Sequence, residues 1–144
     1  MKKVLVLTAH PDDLELACGG TVARFVDEGV EVTNLIVCSN VPHKKYVPES
    51  SKILGFNPLY LEHRDESITR EVVAEIEGLI DISSYDLLIT HWKEDWHQDH
   101  RFCHNLGNSL RRKQPLNVWY MNAYPYCQKY TSFDANVFVD ITKY

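Results

Sequence analysis

The chain lacks most of the patterns that mark secreted, membrane-spanning and nucleotide-binding proteins. None of its four cysteines belongs to a CxxC pair, so we do not expect a disulfide scaffold. The cysteine pattern instead favours a reducing, cytoplasmic compartment. No apolar run is long enough for a membrane span or a signal peptide. Neither GxGxxG nor GxxxxGK[ST] occurs, so the adjacent Gly19 and Gly20 indicate close packing or room for a ligand rather than a dinucleotide site.

Basic clusters are also scarce. The 15 Lys and Arg against 20 Asp and Glu give a net charge of −5, which argues against nucleic acid or an anionic membrane as a partner. The run Arg111-Arg112-Lys113 is interpreted as the cationic end of a helix. A chain of 144 residues with 44% hydrophobic residues predicts a single domain, 1–144, with its own core.

Strand-like and helix-like segments alternate along the chain. Strands are predicted at 3–9, 31–38, 58–61, 86–90, 118–121 and 137–139, and helices at 14–28, 48–54, 66–80 and from Phe102 to about Arg112. This alternation predicts right-handed βαβ units and a three-layer α/β/α, Rossmann-like fold with a mostly parallel sheet. In such sheets ligands bind beyond the carboxyl ends of the strands.

A dense polar cluster, Ala9-His10-Pro11-Asp12-Asp13, follows the first predicted strand. Pro11 fixes its own φ and favours an extended His10, so the turn is stiff. The imidazole of His10 and the carboxylate of Asp13 are ligand types suited to Zn²⁺, which leaves Asp12 to act as a base. The alternative is that Asp12 or Asp13 only caps the following helix. A second histidine cluster after the fourth strand favours the metal.

That second cluster is His97-Gln98-Asp99-His100. His97 and His100 are one helical turn apart, so both can face one pocket. His100 is the better third ligand if it starts the next helix, and His97 then reaches over the metal without binding it. Asp99 is a candidate to hold an imidazole in the required tautomer. A helical pair of His100 and His104 is the alternative, but no HExxH pattern supports it.

Four residues are candidate substrate contacts, but each can equally be explained by packing or by solvent exposure. Trp92 and Trp96 are either packing residues or walls on which a sugar ring stacks. Asp65 and Asp95, near strand ends, are either hydroxyl-binding or solvent-exposed. The remaining histidines are interpreted as ordinary core or surface residues: His43, His63 and His91.

Residues 9–21, Ala-His-Pro-Asp-Asp-Leu-Glu-Leu-Ala-Cys-Gly-Gly-Thr, and residues 97–101, His-Gln-Asp-His-Arg, together resemble the PIG-L/LmbE-like deacetylases. These are zinc enzymes that remove acyl groups, usually acetyl, from N-acylglucosaminyl compounds. The resemblance implies that the residues that bind zinc are His10, Asp13 and His100. It also implies that Asp12 is the general base and that His97 stabilises or protonates the developing oxyanion and leaving group.

The function implied is a metal-dependent hydrolase that removes an acetyl group from the amine of an N-acetylglucosamine-type sugar conjugate by zinc-activated water. Its partner would be a small-molecule N-acyl sugar. Fe²⁺ or another divalent ion suits the same donors. Two alternatives stand beside this function. One is hydrolysis of another ester or amide at the same metal site, and the other is a non-catalytic or weakly active sugar- or nucleotide-binding module.

Two departures from the family pattern affect the substrate pocket. Tyr46 occupies the position, three residues before Glu49, where the family often has an arginine used on substrate, with Lys44 and Lys45 nearby. The chain also stops at Tyr144, where family members commonly continue. The expectation is therefore a domain without the usual C-terminal extension, whose pocket is open or is completed by another subunit of a homo-oligomer.

Overall fold

Strands and helices alternate through the computed structural model, which describes residues 1–63, 70–123 and 133–144. The strands are β1 (Lys3–Thr8), β2 (Glu31–Ile36), β3 (Asn57–Tyr60), β4 (Leu87–His91) and β5 (Asn117–Met121). The helices are α1 (Asp13–Asp27), α2 (Val47–Leu54), α3 (Arg70–Leu79) and α4 (Gln98–Leu110). None of the described helices has the length and apolar character needed to cross a membrane.

The strands form one parallel sheet in the order β3-β2-β1-β4-β5. The predicted α/β fold with a parallel sheet is therefore confirmed. The chain builds outward from β1 through β2 to β3 and then returns to place β4 on the other side of β1, where Leu7 pairs with Thr90. The carboxyl ends of β1 and β4 thus lie side by side at the point where the strand order reverses, which is where open α/β sheets bind ligands.

Consecutive residues of β1 face opposite helical layers. Val4 and Val6 pack in one core with residues of α1 and α2. Leu5 and Leu7 pack in a second core with residues of α3 and α4. All four side chains are fully buried. A central parallel strand covered on both faces is therefore encoded by a continuous apolar run rather than by alternation.

The strand predicted at 137–139 is wrong, because the structure forms no strand there. Phe138 is 83% exposed, and this segment runs along α1 instead of pairing with a sheet edge. Ile141 packs so closely on Gly20 that a Cβ there would lie 2.8 Å from Ile141 Cδ1. Apolar, β-branched composition predicts a strand, but a strand also needs a pairing partner. The contact explains Gly20 by close packing. The first four residues of the predicted helix 66–80 lie outside the described residues, which resume at Arg70.

Candidate metal centre

Polar side chains converge where β1 and β4 end. The turn after β1 carries His10, and the first turn of α4, after β4, carries His100. The ring of His10 lies 4.7 Å from that of His97 and 5.5 Å from that of His100, measured between centroids. Among the described residues, two overlapping groups bring ligand atoms within 4.8 Å of one another: His10, His97 and His100, and Asp13, His91 and His100. The fold thus joins the two clusters that are remote in sequence.

Asp13 is the buried acid at the centre of this site. It is the first residue of α1, and its side chain is fully buried. Its Oδ2 accepts a hydrogen bond from the backbone N–H of His10 at 2.7 Å, and its Oδ1 lies 3.1 Å from Nε2 of His100. Burial opposes ionisation of Asp13, but the contacts with His100 and His91 outweigh burial and hold its pKa well below the ordinary value. Asp13 is therefore an ionised carboxylate, aimed at imidazoles.

His100 lies between two acids. Its Nδ1 is 3.0 Å from Oδ2 of Asp95 and its Nε2 is 3.1 Å from Oδ1 of Asp13. Burial disfavours the charged ring, but the two carboxylates outweigh burial and raise the pKa of His100 to about 9. A metal ion at Nε2 would therefore displace a proton.

The prediction that Asp95 binds sugar hydroxyls does not fit its position. The residue is only 1% exposed, and its Oδ1 accepts the backbone N–H of His97 at 2.9 Å. Both of its oxygens are thus directed at the histidine segment. Sequence alone places Asp95 in the loop after β4 but does not reveal that the loop folds back over His100.

Asp99 holds His10. Oδ2 of Asp99 lies 2.7 Å from Nε2 of His10, and Asp99 is only 7% exposed. Because a carboxylate can only accept this hydrogen bond, the neutral ring of His10 carries its proton on Nε2 and has its lone pair on Nδ1. Nδ1 lies 3.7 Å from Oδ2 of Asp13. The sequence left open which imidazole Asp99 holds, and the structure brings it to His10.

His97 stands at the N-terminus of α4, and its side chain is 44% exposed. Its Nδ1 accepts the backbone N–H of Asp99 at 3.2 Å. The neutral ring therefore carries its proton on Nε2. Burial, and then the charge of His10, lower the pKa of His97. His97 is thus a neutral N–H donor beside the buried acids.

Asp12 occupies a different environment from its neighbour Asp13. Its side chain is 49% exposed, and its Oδ1 lies 3.7 Å from Nε2 of His43, a residue of the 3-10 turn Pro42–Tyr46. Asp12 stands at the N-cap position of α1, but its side chain makes no capping hydrogen bond. The capping interpretation of Asp12 is therefore wrong. One acid of the pair is buried among histidines and the other faces solvent.

The aromatic candidates lie in different surroundings. Trp92 is partly buried and packs edge-on against Phe133 with ring centroids 5.4 Å apart. It borders a cavity of ≈ 820 Å³ between α1, β5 and the segment from residue 133 onward. Trp96 is 54% exposed, so its ring is accessible to a ligand. Asp65 lies outside the described residues.

Sequence pattern alone does not identify His91 as part of this site. It ends β4 and is fully buried. Its Nε2 lies 3.2 Å from Oδ2 of Asp13, and its ring stacks on that of His100 with centroids 3.9 Å apart and planes 16° apart. Its place after an apolar strand suggests a core residue. The signal that could have found it is its position as the last residue of a strand adjacent to β1.

The match to known families covers the first third of the chain. Residues 5–52 match the model of PIG-L, described as GlcNAc-PI de-N-acetylase. This segment runs from β1 into α2 and contains Asp12 and Asp13, whereas the histidines of α4 lie beyond it.

Curated relatives with deacetylase names match parts of the chain. The 1D-myo-inositol 2-acetamido-2-deoxy-alpha-D-glucopyranoside deacetylase of Tsukamurella paurometabola is 45% identical over 62 residues, which are 38% of this chain and 20% of that protein. The diacetylchitobiose deacetylase of Thermococcus kodakarensis is 28% identical over 130 residues, which are 74% of this chain and 48% of that protein. The chain thus spans less than half the length of either relative.

A solved structure matches more of the fold. The conserved protein TT1542 of Thermus thermophilus superposes with a TM-score of 0.74 at 26% identity, covering 87% of this chain and 68% of that protein. Most of the α/β layer arrangement of this chain is therefore shared with that structure.

Proposed function

We propose that the chain is a PIG-L/LmbE-like deacetylase, which hydrolyses the N-acetyl group of an N-acetylglucosamine-type sugar conjugate with a divalent metal ion as cofactor. The match of residues 5–52 to the PIG-L model and the partial matches to curated deacetylases support this proposal. The observation that carries this proposal is the pairing of two acids in one turn. Asp13 is buried, ionised and directed at histidines, while Asp12 beside it is half exposed. Both curated relatives described above are deacetylases by name.

The donor set fits a divalent metal ion. Oδ1 of Asp13 is buried and lies 3.1 Å from Nε2 of His100, so two atoms that can ligate a metal ion face each other. The residues that would hold the ion are His10, Asp13 and His100. One carboxylate and two imidazoles suit Zn²⁺, and Fe²⁺ fits the same donors. When bound, such an ion lowers the pKa of water to about 7 and polarises the amide carbonyl.

Asp12 takes the proton of the attacking water on its carboxylate. Its side chain is half exposed and makes no capping bond, so an oxygen can reach a water molecule at the mouth of the site. Asp13 cannot take this role because it is buried and its pKa is far too low. The proton then passes to the amine nitrogen of the sugar as the C–N bond breaks. Water and the amide thus become acetate and the amine.

His97 donates a hydrogen bond from Nε2 to the oxyanion that develops on the amide carbonyl. Its Nδ1 is already occupied by the backbone N–H of Asp99, which fixes the donor on the other side of the ring. Loss of one such donor costs about 2.7–4 kcal/mol in other enzymes. The donor role needs no charge on the ring, in keeping with the lowered pKa of His97.

Exposed aromatic rings on two segments that also carry His43 and His97 are suited to a sugar. Trp96 is 54% exposed and Tyr46 is 60% exposed, and Nζ of Lys45 lies 4.9 Å from the centre of the Tyr46 ring. Tyr46 with Lys45 thus presents an aromatic face and a cation close to the position of the family's arginine. These residues, with Trp92 and Asp65, are the proposed substrate contacts.

The deciding experiment measures acetate release. The protein is stripped of metal with a chelator, reloaded with Zn²⁺ or Fe²⁺, and assayed on free, nucleotide-linked and lipid-linked N-acetylglucosamine. The expected result is acetate release from at least one class by the reloaded protein and none by the stripped protein. Binding of the sugars without release would indicate a binding module. Hydrolysis of simple esters but not of N-acetyl sugars would indicate a hydrolase of another class.

A further inference from the structure

His91 is a buried polar residue to which the mechanism above gives no task. Its Nε2 lies 3.2 Å from two different groups: the backbone N–H of Ala9 and Oδ2 of Asp13. Its Nδ1 is buried and has no hydrogen-bond partner among the described residues. The two contacts of Nε2 require opposite protonation states, because Ala9 can only donate and an ionised Asp13 can only accept.

The two tautomers of His91 can be compared by the hydrogen-bond donors that each leaves without a partner. With the proton on Nδ1, Nε2 accepts from Ala9, the Nδ1–H has no partner in the described structure, and the Nε2 lone pair faces a carboxylate at 3.2 Å. With the proton on Nε2, Asp13 receives a hydrogen bond and the Ala9 N–H is the unpaired donor. Each state thus leaves one donor unpaired. A hydrogen bond to an ionised group is roughly twice as strong as a neutral one, so the proton belongs on Nε2.

We propose that His91 is a positioning residue that donates from Nε2 to Oδ2 of Asp13 and so commits Oδ1 of Asp13 to the metal ion. Oδ2 then receives two donors, His91 and the backbone N–H of His10. Oδ1 remains the oxygen that faces Nε2 of His100, where a metal ion would replace the proton. The stacking of His91 on His100 holds the two rings nearly parallel. This inference rests on the proposed metal site but not on the proposed substrate.

Two amide substitutions separate the two ring nitrogens. In His91→Gln the side-chain amide reaches the place of Nε2, whereas in His91→Asn it reaches only the place of Nδ1. We expect the dissociation constant for Zn²⁺ to stay within a few-fold of the wild-type value in His91→Gln and to rise about 10–100-fold in His91→Asn. The visible absorption spectrum of bound Co²⁺ should change in His91→Asn alone.

His63→Asn is the matched control, because His63 pairs with Glu75 at the surface and its loss should change neither readout. Equal metal affinity and equal Co²⁺ spectra in His91→Gln and His91→Asn would overturn the inference. A wild-type protein that binds no divalent metal would overturn the proposed function and this inference with it. Wild-type binding with unaffected His91 variants would overturn this inference alone.

The tautomer can also be tested without any variant. Nitrogen-15 chemical shifts of the histidine rings in the zinc-loaded wild-type protein distinguish a protonated ring nitrogen from an unprotonated one. We expect the proton of His91 on Nε2. A proton on Nδ1 would contradict the inference whatever the variants show.

Discussion

Nδ1 of His100 lies 3.0 Å from Oδ2 of Asp95, and both side chains are buried. When the ring is neutral, its proton therefore belongs on Nδ1 and the Nε2 lone pair faces Oδ1 of Asp13. A carboxylate behind an imidazole fixes the orientation of a metal-binding histidine and raises its basicity. Asp95 thereby acts on the proposed metal through His100 rather than on the substrate.

Asp95→Asn should weaken metal binding about 10–100-fold. The amide keeps the size of the side chain but removes the charge that supports the Nδ1 proton. Calorimetric titration of the stripped protein with Zn²⁺ would measure the change. Glu94→Gln is the control, because it removes a neighbouring carboxylate that is exposed and pairs only with Lys93 among the described residues. An unchanged dissociation constant in Asp95→Asn would show that His100 is oriented without Asp95.

The metal-free protein should lose stability as the pH rises above neutrality. The pKa of His100 is raised to about 9 from the ordinary 6.5, so its stabilising contribution is complete below pH 6.5 and is lost between pH 6.5 and 9. This difference between the pKa values of His100 in the folded and unfolded states corresponds to about 3 kcal/mol in the free energy of unfolding. The lowered pKa of Asp13 has the opposite sign, so its contribution is lost only as the pH falls below 3.8.

Urea unfolding of the stripped protein at several pH values between about 6 and 9.5 tests this loss. His63→Gln should keep the same pH dependence, because His63 lies at the surface and is not part of the buried pairs. A free energy of unfolding that stays constant through this range would rule out a protonated His100 in the metal-free protein.

The sequence predicts the layers of this fold better than it predicts the surroundings of the site. A continuous apolar run such as Val4-Leu5-Val6-Leu7 identifies a buried parallel strand, because both faces of β1 are covered. The contacts of His91 and Asp95 depend instead on the strand order, which brings β4 next to β1. No local pattern encodes that neighbourhood. The failed strand at 137–139 has the same origin, since pairing is a long-range property.

Asp12→Asn should retain the metal and the fold but lose activity. The side chain is half exposed and makes no capping bond, so the free energy of unfolding should change by less than about 0.5 kcal/mol. Loss of a general base typically reduces the rate about 10²–10⁴-fold. Metal content by mass spectrometry and kcat from acetate release would measure the two effects. Full activity in Asp12→Asn would show that another group accepts the proton.

Gly107 and Gly78 form a matched pair that tests how closely α4 must approach the sheet. Both are helical, so Gly→Ala brings the same gain in helix propensity, up to about 1 kcal/mol. At Gly78 an added Cβ meets nothing within 4 Å, whereas at Gly107 it would lie 3.1 Å from Thr90 Cγ2 and 3.3 Å from Leu88 Cδ2. Gly78→Ala should therefore raise the free energy of unfolding, and Gly107→Ala should lower it by about 1–3 kcal/mol.

The same pair links packing to the site, because α4 also carries His100. A helix displaced from β4 would move Nε2 of His100 away from Oδ1 of Asp13, which now lie 3.1 Å apart. Zn²⁺ affinity should therefore fall in Gly107→Ala and remain unchanged in Gly78→Ala. If Gly107→Ala loses stability but binds Zn²⁺ as tightly as the wild type, the position of His100 is set by Asp95 and the loop before α4. If Gly107→Ala loses both stability and Zn²⁺ affinity, the close approach of α4 to β4 holds His100 against Asp13.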